Sequence, residues 1–276
     1  MDRQEAVLRE LNLYPQWVRR NPPAIVEEAA PAETQAEPVQ TVAPVAEAAH
    51  MPRQQEVAAE PEHAEVSAQT VHAETVPSEA VAQDREGLIA RLGWPELKTL
   101  VRDCTACKLR AGCTQTVFGV GDQQADWLFV GEGPGADEDA RGEPFVGQAG
   151  KLLDSMLLAL KLKRGDHVYI ANVVKCRPPE NRTPEADEIA TCLPYLQRQI
   201  QLIQPRVIVA LGKTAATALL NTGDVTLGSL RGKVHDYQGI PLIITYHPAY
   251  LLRSPMEKAK AWQDLCLARK TMRDET

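Results

Sequence analysis

The segment between Asn21 and Arg85 contains no Leu, Phe, Tyr, Trp, Cys, Gly or Lys. It is dominated by Ala, Val, Glu, Gln and Pro, and such a composition cannot bury enough apolar surface to offset the entropy lost on ordering. The absence of leucine and aromatic residues argues against an independent globular domain here. It predicts a disordered linker over residues 21–85, which leaves residues 86–276 as the globular domain.

Long hydrophobic runs are also missing. No stretch approaches the ~20 apolar residues that span a membrane, and the first ten residues, MDRQEAVLRE, lack the apolar core of a signal peptide. We therefore expect a cytoplasmic protein with no membrane segment. Structural disulfides are rare in that compartment, so the six cysteines call for another explanation.

The negative charge is confined to one part of the chain. Residues 1–85 carry a net charge of −9, so the total of −7 leaves about +2 for residues 86–276. The C-terminal part can therefore approach a polyanion if its basic residues cluster on one face.

Residues 86–276 show the alternating pattern of an α/β domain. Short apolar runs rich in β-branched residues predict strands, and each is followed by a helical pattern. The predicted strands cover 127–130, 167–174, 206–211 and 241–246, and the predicted helices cover 150–162, 184–203, 214–220 and 255–272. This alternation predicts a three-layer α/β/α sandwich with a central, mainly parallel four-stranded sheet.

Chemically unusual residues follow each predicted strand. GEGPG comes after the first, Asn172 and Cys176 lie at the end of the second, LGK follows the third, and HPAYLLR follows the fourth. Ligands of such sheets bind beyond the carboxyl ends of the strands. The sequence therefore predicts that four separate segments form one site.

The cysteines have the spacing of a metal site. The CTAC segment places Cys104 and Cys107 on one turn, Cys176 precedes Arg-Pro-Pro, and Cys192 lies on the next predicted helix. Cys113 is a competing ligand, whereas Cys266 fits the apolar face of the C-terminal helix. Spacing alone is compatible with either zinc or a 4Fe-4S cluster.

Taken together, these motifs resemble family 4 of the uracil-DNA glycosylases, the iron-sulfur branch of that superfamily. The resemblance covers about residues 98–270 and rests on CTAC, FGVGD, GEGPGADEDARGEPFVGQAGKLLD, YIANVVKCRPPENRTP, CLPYL, VALGKTA and YHPAYLLR. It implies a repair enzyme that hydrolyses the N-glycosidic bond of uracil in DNA. It also implies a 4Fe-4S cluster bound by Cys104, Cys107, Cys176 and Cys192.

The implied reaction gives roles to three side chains at the predicted sheet edge. The uracil must leave the base stack and enter an enclosing pocket, where Phe145 would stack on it. The Asn172 amide would bind uracil O4 and N3. His247 would donate toward O2, because negative charge develops on the departing base. Phe145 and His247 are also compatible with purely structural positions in a core.

The glycine-rich loop carries the remaining implied roles. Gly131 and Gly133 would let the main chain approach the base, and Glu138 is the candidate for excluding the 5-methyl group of thymine. Family 4 has a glycine, here Gly133, where family 1 has an aspartate that orients the attacking water. Glu132, Asp137 and Glu138 are therefore the candidates for positioning this water or stabilising the sugar cation, and Glu132 is favoured for its proximity. The acidic run 137–139 is equally compatible with a solvated helix start.

DNA contacts are expected from the HPAYLLR segment. Arg253 would reach a phosphate, and Tyr250 or Leu251 would wedge into the gap left by the flipped base. Basic residues near Cys176 would extend this surface, namely Lys175, Arg177 and Arg182.

The first twenty residues show a second, shorter resemblance. LRELNLYPQWVRRNPP is similar to the start of the psi subunit of bacterial DNA polymerase III. This implies a docking peptide over residues 1–20 for the clamp loader, tethered by a linker with a coil span on the order of 45 Å. A frayed amphipathic terminus is the structural alternative. A replisome adaptor with a vestigial glycosylase site is the rival function, and we expect a monomer in either case.

Overall fold

The centre of the described fold is a β-sheet whose middle strands are buried on both faces. The computed structural model describes residues 78–223 and 225–274. Within them the strands are β1 Val120–Gly121, β2 Trp127–Gly131, β3 Val168–Asn172, β4 Val207–Leu211, β5 Val234–Tyr237 and β6 Ile240–Thr245. They form one mixed sheet with the strand order β1-β3-β2-β4-β6-β5.

The four predicted strands form the parallel centre of this sheet. Trp127 of β2 lies opposite Val168 of β3 on one side and Val207 of β4 on the other, and β4 pairs in parallel with β6. The prediction of four strands was wrong in number, because β1 and β5 add antiparallel edges. All residues of β2, β3 and β4 are buried, as expected for strands covered on both faces.

Helices cover both faces of the sheet and confirm the three-layer α/β/α class. They are α1 Ser78–Ile89, α2 Trp94–Arg102, α3 Leu109–Gly112, α4 Ala136–Arg141, α5 Gln148–Ala159, α6 Ala186–Ile203, α7 Lys213–Leu220, α8 Leu227–Leu230, α9 Pro248–Arg253 and α10 Lys258–Asp274. Short 3₁₀ turns occupy Pro179–Asn181 and Pro255–Glu257. Among the described helices, none is long and apolar enough to cross a bilayer.

The two faces of the sheet each pack against a separate hydrophobic core. Alternate residues of β2, such as Leu128 and Val130, pack with side chains of α1, α2, α6 and α7. The intervening residues, such as Phe129, pack with α5, α9 and α10. The period-two alternation of strand side chains thus builds two separate cores from one sheet.

The folded part begins earlier than residue 86. Helix α1 starts at Ser78, within the predicted linker. Arg85 donates to the carbonyl of Thr191 at 2.9 Å, and its guanidinium lies 4.9 Å from the centre of the Tyr195 ring. The predicted docking peptide and the remainder of the linker lie outside the described residues.

Candidate active site

A cleft of about 930 Å³ lies at the carboxyl edge of the parallel strands. The ladder between β2 and β3 continues into this edge, since the N–H of Val173 donates to Gly131 O at 3.0 Å and that of Val174 donates to Glu132 O at 3.1 Å. Most of the predicted site residues line the cleft: Glu132, Gly133, Glu138, Phe145, Asn172, His247, Tyr250 and Arg253. The predicted convergence of separate segments is thus present in the structure.

Asn172 places a polar atom without a partner in this cleft. The residue is only 2% exposed, and its Oδ1 has no hydrogen-bond partner within the described residues. A buried acceptor without a partner is costly and usually indicates a missing ligand or water. With the amide assigned in this orientation, Oδ1 can accept an N–H while Nδ2 donates to a carbonyl.

Phe145 lies beside Asn172 in a backbone conformation that is rare for an aromatic residue. Its φ of 56° is left-handed, and its ring centre lies 5.4 Å from that of His247. Arg164 stabilises this loop by donating to the carbonyls of Pro144 and Phe145 at 2.9 and 2.8 Å. Phe145 is both a core residue and part of the cleft wall, so a structural role and a binding role are not alternatives here.

His247 presents a neutral imidazole to the cleft. Its Nδ1 accepts the N–H of Ala249 at 3.2 Å at the start of α9, which leaves the proton on Nε2. Burial, together with the positive charge of Arg253, lowers the pKa of His247 to about 4, although the charge of Glu138 opposes the shift. Nε2–H is therefore available as a donor at neutral pH without the imidazole carrying a positive charge.

The free energy of unfolding is expected to depend on pH through His247. Its pKa is about 4 in the folded protein against 6.5 for an unperturbed histidine. The unfolded chain binds more protons between these values, so stability rises with pH across that window. Lowering the pH from about 7.5 to about 5 should cost about 2 kcal/mol through this group.

Urea unfolding of His247→Gln at the two pH values tests this expectation. The variant should lose that part of the pH dependence, while His167→Gln, at an exposed histidine, should keep it. A His247→Gln protein with the full pH dependence would contradict a neutral, buried imidazole.

Glu132 is held by Thr214, a residue that was not among the predicted site residues. The hydroxyl of Thr214, near the start of α7, donates to Glu132 Oε2. This hydrogen bond connects the loop after β2 with the helix after β4. The available signal was the position of Thr214 in the LGKT segment, which follows a predicted strand at the same sheet edge.

The glycines of the loop serve packing as well as access. A Cβ on Gly131 would lie 2.4 Å from Asn172 Oδ1 and 2.5 Å from Phe145 Cζ. Gly131 therefore allows these two side chains to meet. A Cβ on Gly133 would lie 2.7 Å from Val174 Cγ2. A glycine is therefore needed here to make room for Val174, whether or not a ligand also approaches the main chain.

The acidic run has a structural role. Glu138 accepts the N–H groups of Gly135, Val146 and Gly147 at 3.1, 2.8 and 3.0 Å, which joins the start of α4 to the Phe145 loop. Asp139 is buried and accepts the N–H groups of Thr114 and Gln115. Glu138 still lines the cleft, but its carboxylate is already used by three donors.

Comparison with known proteins assigns the family. A family model described as the uracil DNA glycosylase superfamily matches residues 118–266. The chain belongs to the uracil DNA glycosylase superfamily.

Several relatives within that superfamily are similar over most of their length. A type-4 uracil-DNA glycosylase of Archaeoglobus fulgidus is 46% identical over 162 residues, which cover 56% of this chain and 81% of that protein. Type-4 enzymes of Thermotoga maritima and Pyrobaculum aerophilum are 48% and 44% identical over 155 and 180 residues, covering 56% and 62% of this chain and 80% and 91% of those proteins.

Two of the DNA-facing residues expected for this glycosylase-superfamily chain are buried. Leu251 is 1% exposed and packs in the second core cluster, so it is not presented to DNA as the predicted wedge. Tyr250 is partly exposed beside Arg253 at the cleft, and the exposed leucine of α9 is Leu252, at 44%. Lys175 was also expected on the basic surface, and this prediction was wrong because the residue is buried.

The four cysteines assigned by the resemblance line a second cavity of this superfamily member. They come from the turn after α2, the segment after β3, and α6, and they are Cys104, Cys107, Cys176 and Cys192. Cys113 does not line the cavity, although its thiol lies close enough to Cys176 to contribute to a raised pKa there. Cys266 is half-buried on α10.

The chemistry of this cavity suits an iron-sulfur cluster. Cys192 Sγ accepts the main-chain N–H of Lys175 at 3.2 Å, and such bonds stabilise and tune thiolates bound to iron. Across the described ranges, no three Cys, His, Asp or Glu side chains converge on a point that would hold one metal ion. A cluster binds each thiolate to a different iron and therefore needs ligands arranged around a cavity. The residues fit such a group.

Proposed function

We propose that this chain excises uracil from DNA by hydrolysing its N-glycosidic bond and leaving an abasic site. The observation that supports this proposal most directly is Asn172 Oδ1, which is buried in the cleft without a hydrogen-bond partner among the described residues. Uracil supplies the complementary N3–H, and its O4 accepts from Nδ2. Cytosine lacks the N3 proton and carries an amino group in place of O4, so the same amide orientation rejects it.

The other cleft residues fit the steps of this reaction. The flipped base stacks on Phe145, and His247 Nε2–H donates to uracil O2 as the bond to the sugar breaks. The bonding electron pair leaves with uracil N1 as the anion. Glu132, oriented by Thr214, holds the water whose oxygen bonds to C1′ of the sugar. The proton that this water loses passes to solvent, and no further reactant is needed.

We assign the cysteine cavity to a 4Fe-4S cluster. Cys104, Cys107, Cys176 and Cys192 would hold it, and when bound it supplies covalent links between segments that are distant in sequence. Cys176 follows Asn172 by four residues. These links therefore support the end of strand β3, which carries the uracil-reading amide, without taking part in bond cleavage.

An excision assay tests the proposal directly. The full chain is incubated with a single-stranded oligonucleotide that contains one uracil, and alkali then cuts any abasic site. Cleavage at the uracil, and none in a matched thymine oligonucleotide, is the expected result. If the oligonucleotide stayed intact after prolonged incubation with iron-loaded protein, excision would be refuted. The rival function, a replisome adaptor with a vestigial glycosylase site, would then be favoured.

We further propose that residues 1–20 tether this enzyme to the clamp loader as part of a cytoplasmic monomer. The support is the LRELNLYPQWVRRNPP pattern ahead of a linker poor in core-forming residues, and one chain supplies every cleft residue named above. Deleting residues 1–20 should abolish capture by purified clamp loader while leaving excision rates unchanged. Equal capture with and without these residues would overturn the tether, and a size measurement by light scattering checks the monomer.

A further inference from the structure

Lys175 is a buried lysine between the two sites. It is 1% exposed, and its Nζ donates to the main-chain carbonyl of Asn172 at 2.9 Å and to Gln199 Oε1 at 2.7 Å. Its own main-chain N–H donates to Cys192 Sγ, and the residue lines the cysteine cavity. One residue thus contacts a proposed cluster ligand and the residue proposed to read uracil.

A buried ammonium needs a negative partner. Removing such a charge from water costs several kcal/mol unless an anion and hydrogen bonds compensate. None of the ion pairs found among the described residues includes Lys175. The cysteines that line the same cavity are a source of negative charge, because four thiolates are only partly neutralised by the iron atoms that they bind.

The contacts of Lys175 are themselves held in place. Gln199 is fully buried and donates from Nε2 to Phe118 O at 2.9 Å, which turns its Oε1 toward the ammonium. The carbonyl of Lys175 accepts the N–H of Val117 at 2.7 Å. Both the main chain and the side chain of Lys175 are therefore fixed, as positioning through a hydrogen bond requires.

We propose that Lys175 is a positioning residue whose ammonium offsets the charge of the four thiolates and whose hydrogen bond holds the Asn172 peptide in the cleft. The proposal rests on the proposed function of both sites. It predicts that a change at Lys175 affects cluster retention and base recognition together, although the residue touches neither the base nor the reacting bond.

Two variants separate these roles in the full, iron-loaded chain. Lys175→Met removes the charge and the hydrogen bonds; it should release iron to a chelator about 10-fold faster and lower kcat about 10-fold, with KM nearly unchanged. Gln199→Leu keeps the charge but removes one acceptor of the ammonium. It should lower kcat severalfold while releasing iron at the wild-type rate. Lys98→Met, at an exposed lysine, is the matched control.

The outcomes are distinguishable from failure of the proposed function. Wild-type protein that lacks iron or does not excise uracil would refute the proposed function, whatever the variants do. With an active, iron-loaded wild type, unchanged iron release in Lys175→Met overturns the countercharge. Unchanged kcat in Gln199→Leu overturns the positioning, and this second variant decides it even if Lys175→Met does not fold.

Discussion

Replacing Asn172 with alanine is expected to reduce kcat for uracil excision by about 10³-fold. A single well-placed donor toward a developing anion contributes on the order of 10²- to 10³-fold, and Asn172 offers both a donor and an acceptor to the same base edge. Its acceptor is buried without a partner in the cleft. The amide is therefore already positioned for a ligand, and no rearrangement is needed to form these bonds.

Asn172→Asp separates base recognition from packing. The carboxylate has nearly the shape of the amide, but it cannot donate to uracil O4, and its charge repels the departing uracil anion. We expect a loss at least as large as for alanine, measured as single-turnover excision under excess enzyme. Binding to an oligonucleotide with an abasic site should stay within about threefold of wild type, because that ligand lacks the base.

The control for both variants is an asparagine that does not line the cleft. Asn221 is exposed after α7 with a φ of 49°, which glycine adopts without strain. Asn221→Gly should excise uracil at the wild-type rate. If Asn172→Ala did so as well, the amide would not read the base and the proposed recognition would be wrong.

The central architecture could be predicted because its signal is local. The runs at 127–130 and 206–211 are apolar and β-branched, as strands covered on both faces must be, and each lies within one residue of the observed strand. The edge strands were missed for the opposite reason. Val120–Gly121 has only two residues, and in Val234–Tyr237 only Tyr237 is buried while the two central residues are polar, so neither segment shows the apolar pattern of a strand.

Side-chain environments were harder to predict because they depend on partners distant in sequence. Lys175 is buried because its Nζ donates to Gln199 and the residue lines the cysteine cavity. No pattern in the neighbouring sequence predicts that a lysine is buried. Leu251 and Leu252 are equivalent by composition, and the six residues of α9 are too few to show which face is apolar. The meeting of Asn172, Phe145 and His247 at one sheet edge could be expected because their motifs follow strands, whereas their roles were implied by the resemblance to family 4.

Replacing Cys192 with alanine is expected to remove most of the iron and to lower the melting temperature by roughly 10 °C or more, since a structural metal site contributes folding free energy directly. Wild-type protein purified without oxygen should be brown and contain about four irons per chain. Cys192 is buried on α6, and its Sγ accepts the N–H of Lys175. Loss of this ligand therefore frees α6 from the segment after β3.

The matched variants decide which thiols bind the cluster. Cys266→Ala, on α10 and outside the cavity, should retain four irons and the wild-type melting temperature. Cys113→Ala tests the competing ligand and should also retain the iron, because Cys113 does not line the cavity. Iron retained in Cys192→Ala but lost in Cys113→Ala would reverse the ligand assignment.

A colourless wild-type protein with one zinc per chain would show that the cysteines bind a single ion instead of a cluster. In that case, the links between α2, β3 and α6 would remain, but the thiols would have to move together to meet one metal at about 2.3 Å.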